Sequence, residues 1–368
     1  MNLKNKGRRK QVYQLAVFPY DRTNNKLVSW KKDLRYGEVI DIISPVGWGN
    51  DGNYININGQ LLKIKSKIED VSKICNGLWV IDNCRKIDFE SVVVPVLREC
   101  VKRNWKVFWG RTYTKEEKEI MLHIIPKNQI LFLGGDVWAK ERGNKLKEFH
   151  VPIVFWVNMF SNLPTDFSLL MLYDSICRLG IKTKLISYKR DLEMYKEVCV
   201  LPDSHMNVLN NHEKVILLNN LCKLIEQREN PDLFLVDIPG NLLEISKKIC
   251  GDFGCSPYIF ARALQPDYTI CSLPYMDTIL ENYMILGDVV NRTIGIEIDC
   301  YNMVAAYLDV MESENNDMFD YLSVSEEFIR KKAGGREKMF YIFEKKDAEN
   351  VRDTIIKRLE EYSNVTVV

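Results

Sequence analysis

Two runs in this chain, Pro152 to Val157 and Leu233 to Val236, contain no polar side chain. A strand that is apolar on both faces must be covered on both, which places it in a parallel sheet between two layers of helices. The rest of the chain has the same grain, short apolar runs alternating with stretches of helical length. In the first part, Val12 to Tyr20, Glu38 to Ser44, Gly77 to Asp82, Trp105 to Trp109 and Gln129 to Leu133 read as strands. Helices fall over Phe89 to Arg103 and Lys115 to Ile124. After the strand at Pro152, a helix from Phe167 to Leu179 closes at Gly180, a good C′ glycine. Further strands are read at Lys184 to Ser187, Tyr268 to Leu273 and Thr293 to Ile298, with an apolar run at Ser256 to Leu264. Helices are read at Glu213 to Glu229, Leu242 to Cys250, Met276 to Leu286 and Met303 to Val310. Glu312 to Asp320 is acidic and reads as a linker, before a strand at Met339 to Phe343 and a helix at Ala348 to Tyr362.

At roughly 100 to 200 residues per domain, such a chain holds two domains with an appendage. Residues 1–150 read as a Rossmann-like α/β domain and residues 151–320 as a P-loop NTPase-like α/β domain. Residues 321–368 form a small C-terminal strand-helix piece. The 51 basic and 50 acidic residues leave a net charge of +1, so no global field favours nucleic acid or an anionic membrane. No apolar run is long enough to span a bilayer. The basic start of the chain (Lys4, Lys6, Arg8, Arg9, Lys10) precedes an apolar stretch cut at Asp21 and Arg22, without a small-residue cleavage site, and does not read as a signal peptide. The 10 cysteines lie in apolar contexts without a CxxC pair, which points to reduced core thiols and a cytoplasmic protein. The four histidines have no metal-binding spacing, and no metal is expected.

Gly47-Trp48-Gly49-Asn50-Asp51-Gly52 matches the dinucleotide fingerprint GxGxxG and follows a strand. The fingerprint works only where a helix opens at that loop and aims its N–H groups at pyrophosphate. Here Asn53 to Gly59 alternates as a strand does, so the glycines read as a turn. Trp48, a large aromatic on that loop, is a candidate contact residue for a partner, as is the Arg35-Tyr36 pair in a charged connection.

The strand, loop and helix beginning at Val151 have the layout of a phosphate loop. The register GxxxxGK[ST] falls on Asn158, Met159, Phe160, Ser161, Asn162, Leu163, Pro164 and Thr165. Both glycines and the lysine are gone, and only the hydroxyl remains. The glycines let backbone N–H groups curl round phosphate and the lysine neutralises its oxygens, whereas proline removes a donor. Lys184 or Arg292 would have to move into the gap. Asp237, Ile238, Pro239 and Gly240 end a buried strand as DxxG, the place where a P-loop protein keeps its magnesium-orienting aspartate. The candidate ligand residues are therefore Asn158, Ser161, Asn162, Thr165, Asp237 and Gly240. His205, in a loop after Pro202, and Arg292, read just ahead of a strand, complete the set.

With Phe18 to Asp21 (FPYD), Arg35-Tyr36, Ser44 to Gly49 (SPVGWG) and Asp237 to Gly240 (DIPG), the chain resembles the clostridial peptide maturation system proteins. These are encoded beside radical SAM maturases and an acyl-carrier-related protein. The resemblance runs from about Leu15 to Lys357, and its motifs are less diagnostic than an intact phosphate loop. Asp166-Phe167 stands where such proteins carry a Lys-Phe pair, a charge reversal that counts against phosphate binding. The resemblance implies a bacterial accessory protein in maturation of a ribosomally synthesised peptide. Its expected partners are the precursor peptide, the maturase and the acyl-carrier-related protein, and a homodimer is allowed. The rival expectation is an acyl- or phosphoryl-transfer enzyme using a nucleotide, CoA or phosphopantetheine arm. The residues themselves assign neither a cofactor nor a reaction.

Overall fold

The computed structural model describes residues 12–30, 34–57, 59–82, 87–134, 145–201, 209–249, 251–316 and 318–363. It divides into two compact units, one of residues 1–134 with 189–196 and one of residues 135–188 with 197–368. The boundary thus falls ahead of the expected residue 150. An eight-residue stretch of the later sequence, Lys189–Lys196, belongs to the first unit.

The first unit contains β1 (Tyr13–Phe18), α1 (Asn25–Val28), β2 (Gly37–Ile43), β3 (Tyr54–Ile57), β4 (Gln60–Lys65), β5 (Gly77–Val80), α2 (Val94–Lys102), β6 (Lys106–Trp109), α3 (Lys115–Ile124) and β7 (Ile130–Phe132). Its strands lie in the order β3-β4-β2-β1-β5-β6-β7, and only the β3–β4 pairing is antiparallel. Without β3 this is the doubly wound Rossmann order, reversing at β1. One face carries Ala16, Phe18, Leu78, Val80, Val107 and Trp109, and packs with Leu97 and Cys100 of α2 and Met121 of α3. The other face presents Leu15, Val17, Trp79 and Phe108, all buried. Helix α1 has only four residues, too few to cover that face.

The Lys189–Lys196 stretch supplies the missing cover. Tyr195 packs edge-on against Trp79 and donates to the Leu27 carbonyl at 2.6 Å. Buried Asp191 accepts from the Trp79 indole N–H at 3.2 Å and from the Asp82 backbone N–H. A side chain at Gly110 would overlap the Asp191 carboxylate. Arg35 and Tyr36, expected at a partner surface, grip the same stretch. Arg35 Nη2 donates to the carbonyls of Tyr195 and Lys196 at 3.3 and 3.1 Å. The Tyr36 ring stacks on Phe108 at 4.8 Å, and its hydroxyl donates to Glu193 at 3.1 Å. Burial, then the Glu193 carboxylate, push the Tyr36 phenol up to about 12.

The second unit contains β8 (Ile153–Asn158), α4 (Asp166–Cys177), β9 (Thr183–Ser187), β10 (Val198–Val200), α5 (Asn211–Glu229), β11 (Leu233–Asp237), α6 (Cys255–Leu264), β12 (Tyr268–Tyr275), α7 (Asp277–Ile294), β13 (Cys300–Leu308), α8 (Val310–Asn316), β14 (Tyr321–Ser323), α9 (Glu326–Ala333), β15 (Met339–Phe340) and α10 (Lys345–Ser363). Strand order is β10-β9-β11-β8-β12-β13-β14, with β15 also on β13. All pairings are parallel except β13–β14. The apolar runs that open the sequence argument are the two central strands β8 and β11, buried at every residue. Helix α5 starts in a capping box between Asn210 and Glu213 and stops at Asn230, left-handed at φ +45°, before Pro231.

Four expected elements differ. The 303–310 helix is strand β13, whose Met303 and Ala306 favour a helix but lie buried between β12 and β14. Of the strand expected at 293–298, Thr293 and Ile294 end α7, Gly295 at φ +77° stops the helix, and residues 296–298 are neither helix nor strand. Residues 242–249 form turns instead of a helix, and the 312–320 linker contains α8 with Ser313 buried. The C-terminal piece is part of the second unit. β15 pairs with β13, α10 packs on α4, and Arg330 grips Asp347 through both guanidinium nitrogens at 2.9 and 2.6 Å. No described helix is long and apolar enough to cross a membrane.

Two stability measurements follow. Asp191→Ala leaves the buried Trp79 indole N–H without this acceptor and should cost about 1–3 kcal/mol. A urea midpoint equal to wild type would contradict this role. Asp299 closes the start of β12 by accepting the Thr269 N–H at 2.8 Å, and burial raises its pKa. The folded state therefore holds the Asp299 proton more tightly than the unfolded chain, and stability falls as pH rises between the unfolded and folded pKa values. Asp299→Asn keeps the acceptor without ionising, so it should gain on wild type as pH rises above about 4, the ordinary Asp value. A stability difference independent of pH would contradict this.

Candidate functional site

Ligands of open α/β sheets gather at the carboxyl ends of the strands. In the second unit that edge carries a buried polar row. Register sets Asn158 of β8 beside Ser272 of β12, and Ser272 beside Asn302 of β13. On the other side of β8, Asp237 of β11 aligns with Trp156, two residues before Asn158 and so on the same face of the sheet. The Ser187 hydroxyl of β9 donates to Asp237 Oδ2 at 2.6 Å. Exposure is 2% or less at all five polar residues. Asn302 Nδ2 donates to the Ser272 hydroxyl at 3.3 Å, while the Oδ1 atoms of Asn158 and Asn302 have no hydrogen-bond partner among the described residues. A buried carbonyl oxygen in that state costs roughly 1–3 kcal/mol and marks a place where a donor is expected.

The β8–α4 loop next to this row does not form a phosphate cradle. Met159, Phe160, Leu163 and Thr165 are all buried, at 0, 3, 2 and 0% exposure. Phe160 packs on Phe319 at 5.5 Å, and Leu163 packs with Val304 and Ala306 of β13. The backbone N–H of Met159 extends the sheet by donating to the Ser272 carbonyl, and that of Thr165 donates to the Leu163 carbonyl. The Thr165 hydroxyl contacts the Leu163 carbonyl at 3.4 Å and caps no helix N–H. Ser161 contacts Asn241 at 3.4 Å through its hydroxyl, and its carbonyl accepts from Tyr321 at 2.7 Å. Asn162 is exposed and takes the one positive φ in the loop, +61°. The donors of Met159 and Thr165 are thus spent within the fold, and the buried side chains of Met159, Phe160 and Leu163 fill the interior of the loop with carbon.

Neither proposed replacement cation enters the loop. Lys184 Nζ pairs with the Glu229 carboxylate at 2.9 Å. Arg292 is exposed in the last turn of α7, which leads into the start of β13, whereas the polar row lies at strand ends. Gly240 has a packing role. At φ +89°, its missing Cβ leaves room for Asp252, which accepts from the Ser256 N–H at 2.8 Å and whose pKa is raised by burial. Asn241, one residue on, accepts from the Asp252 N–H at 2.7 Å.

His205 lies outside the described residues. The GxGxxG glycines form a turn, with φ of +88°, +71° and +77° at Gly47, Gly49 and Gly52, and strand β3 follows as expected. Trp48 is half-buried there. Among the described residues, no cluster of His, Cys, Asp or Glu could hold a metal ion. Of the expected set, Asn158 and Asp237 meet at the polar row, with Ser161, Asn162 and Thr165 in the adjoining loop. Ser187, Ser272 and Asn302 were not expected. Their only sequence signal is a lone polar residue in an apolar strand.

No protein-family model matches the chain, and no curated protein matches it. Among solved structures, a DUF1611 family protein from Anabaena variabilis is similar over 95% of this chain and 99% of its own, with a TM-score of 0.58 and 10% identity. MinD of Aquifex aeolicus covers 59% of this chain with 99% of its own, at a TM-score of 0.32 and 12% identity. The first of these supports the fold alone. The protein is an α/β protein with a Rossmann-like unit followed by a P-loop NTPase-like unit.

Two substitutions separate the halves of the row. Ser187→Ala removes a hydrogen bond to a buried carboxylate and should cost about 1.5–3 kcal/mol. Asn158→Leu replaces an unpartnered carbonyl by a methyl of similar shape and should be neutral or stabilising by about 1 kcal/mol. Loss of more than that in Asn158→Leu, read from urea midpoints, would show that its amide is satisfied in solution.

Proposed function

We propose that this protein is a non-hydrolysing accessory factor in the maturation of a ribosomally synthesised peptide. In this reading it is a cytoplasmic bacterial protein that engages the precursor peptide or its radical SAM maturase, with the acyl-carrier-related protein as a further partner. The observation that carries the reading is the β8–α4 loop, closed by Met159, Phe160 and Leu163 where an NTPase holds phosphate. Phosphoryl transfer rests almost wholly on preorganised charge and N–H donors around the γ-phosphate. Losing one such donor typically costs about 100- to 1,000-fold in rate. Here the loop has no lysine, no glycine and a proline in place of a donor. The peptide pathway itself is supported by the resemblance of the FPYD, SPVGWG and DIPG segments. The free cysteines among the described residues accord with a reducing compartment.

A second reading is favoured by the polar row. Asn158, Asp237, Ser272 and Asn302 would then hold the polar part of a nucleotide, CoA or phosphopantetheine group for acyl or phosphoryl transfer. The residues fit such a group poorly, because neither Lys184, paired with Glu229, nor the exposed Arg292 joins the row.

Phosphate release with ATP or GTP plus magnesium should stay at background for wild type and for Asp237→Ala alike. Turnover that disappears in Asp237→Ala would overturn the first reading and favour the second. Co-purification of precursor peptide or maturase with the tagged protein is expected, and unchanged product from a strain lacking this protein would contradict the accessory role.

A further inference from the structure

A cavity of about 440 Å³ in the second unit lies apart from the polar row. Leu242, Leu243, Phe253, Tyr258 and Ile294 line it, and Glu244 is the one charged residue in its wall. That size, an apolar wall with few polar groups, is the ordinary constitution of a small-ligand pocket. Two of its aromatics are kept out of the core. Phe253 is 58% exposed and Tyr258 46%. Phe253 holds φ +54°, a left-handed backbone that a bulky residue rarely adopts. The cavity floor is tight, since a side chain at Gly254 would strike Ile294. The Glu244 carboxylate is exposed and makes no hydrogen bond or ion pair among the described residues. Cys255, also in the lining, is a free, exposed thiol.

From this cavity and its single charge we infer a binding site for an aromatic group carrying a positive amine. The flat apolar body is covered by Leu242, Phe253 and Ile294, because the Arg262 guanidinium already lies over the Tyr258 ring at 5.0 Å. The ammonium meets Glu244, while an aromatic acid is repelled by the same carboxylate. A free aromatic amine and an aromatic residue beside a lysine in a peptide offer the same chemistry. The site does not depend on the peptide-maturation reading or on the state of the β8–α4 loop.

Cys255 reports on occupancy without taking part in it. Its alkylation by iodoacetamide, mapped by peptide mass spectrometry on the full chain, should slow when the cavity fills. Tryptamine should slow it about threefold at twice its dissociation constant, by mass action. Indole-3-acetate and ethylamine, each lacking one half of the chemistry, should leave the rate unchanged at the same concentration. Glu244→Gln, at an exposed position, should abolish the preference for tryptamine. A short peptide with Trp beside Lys that protects at lower concentration than tryptamine identifies a peptide as the source, and stronger protection by tryptamine identifies a free amine. Absence of protection by both tryptamine and the peptide, equal protection by indole-3-acetate, or tryptamine protection undiminished in Glu244→Gln would overturn the inference. The wild-type comparison of ligands decides the matter even if the variant folds poorly.

Discussion

Burial on both faces of β8 and β11 governs the second unit. Once these strands are sheathed by helices, a phosphate would have to sit at their carboxyl ends, and the β8–α4 loop there decides whether it can. In this chain Met159, Phe160 and Leu163 turn inward and pack with Phe319, Val304 and Ala306. Each such side chain contributes roughly 1.5–3 kcal/mol by leaving water. Opening the loop around a phosphate would expose them again. The loop is therefore stable because it is filled, and the same filling removes the phosphate site.

The first unit solves a different problem with similar means. Its four-residue α1 leaves one sheet face uncovered, and Lys189–Lys196 covers it with Tyr195, Leu192 and the buried Asp191 carboxylate. Arg35 and Tyr36 are spent on holding that stretch. The glycine-rich turn after β2 leads into strand β3, so no helix opens at that loop to meet pyrophosphate.

Much of this was legible in the sequence because it is local. The apolar runs at Pro152 and Leu233 mark β8 and β11 within a residue, and the Lys115 to Ile124 helix matches α3, which a Thr114–Glu117 capping box starts. The loss of glycine and lysine between Asn158 and Thr165 anticipates the closed loop. What could not be read is tertiary. Asn302 becomes a neighbour of Ser272 only because residues 300–308 pair as a strand, against a helix-favouring composition. Glu193 lies 157 residues from the Tyr36 it binds, and nothing near Arg35 or Tyr36 announces that contact. Gly295 looked like a strand residue because its role as a helix terminator depends on α7 running on to Ile294.

The β8–α4 loop, filled by Met159, Phe160 and Leu163, leaves no room for phosphate. Isothermal titration of ATP, GTP and CoA, each with magnesium, into the full chain tests this most directly. The account predicts no saturable heat up to millimolar ligand. A saturable isotherm for any of the three that is lost in Asn158→Leu would contradict it, by placing phosphate in the loop that Met159, Phe160 and Leu163 fill.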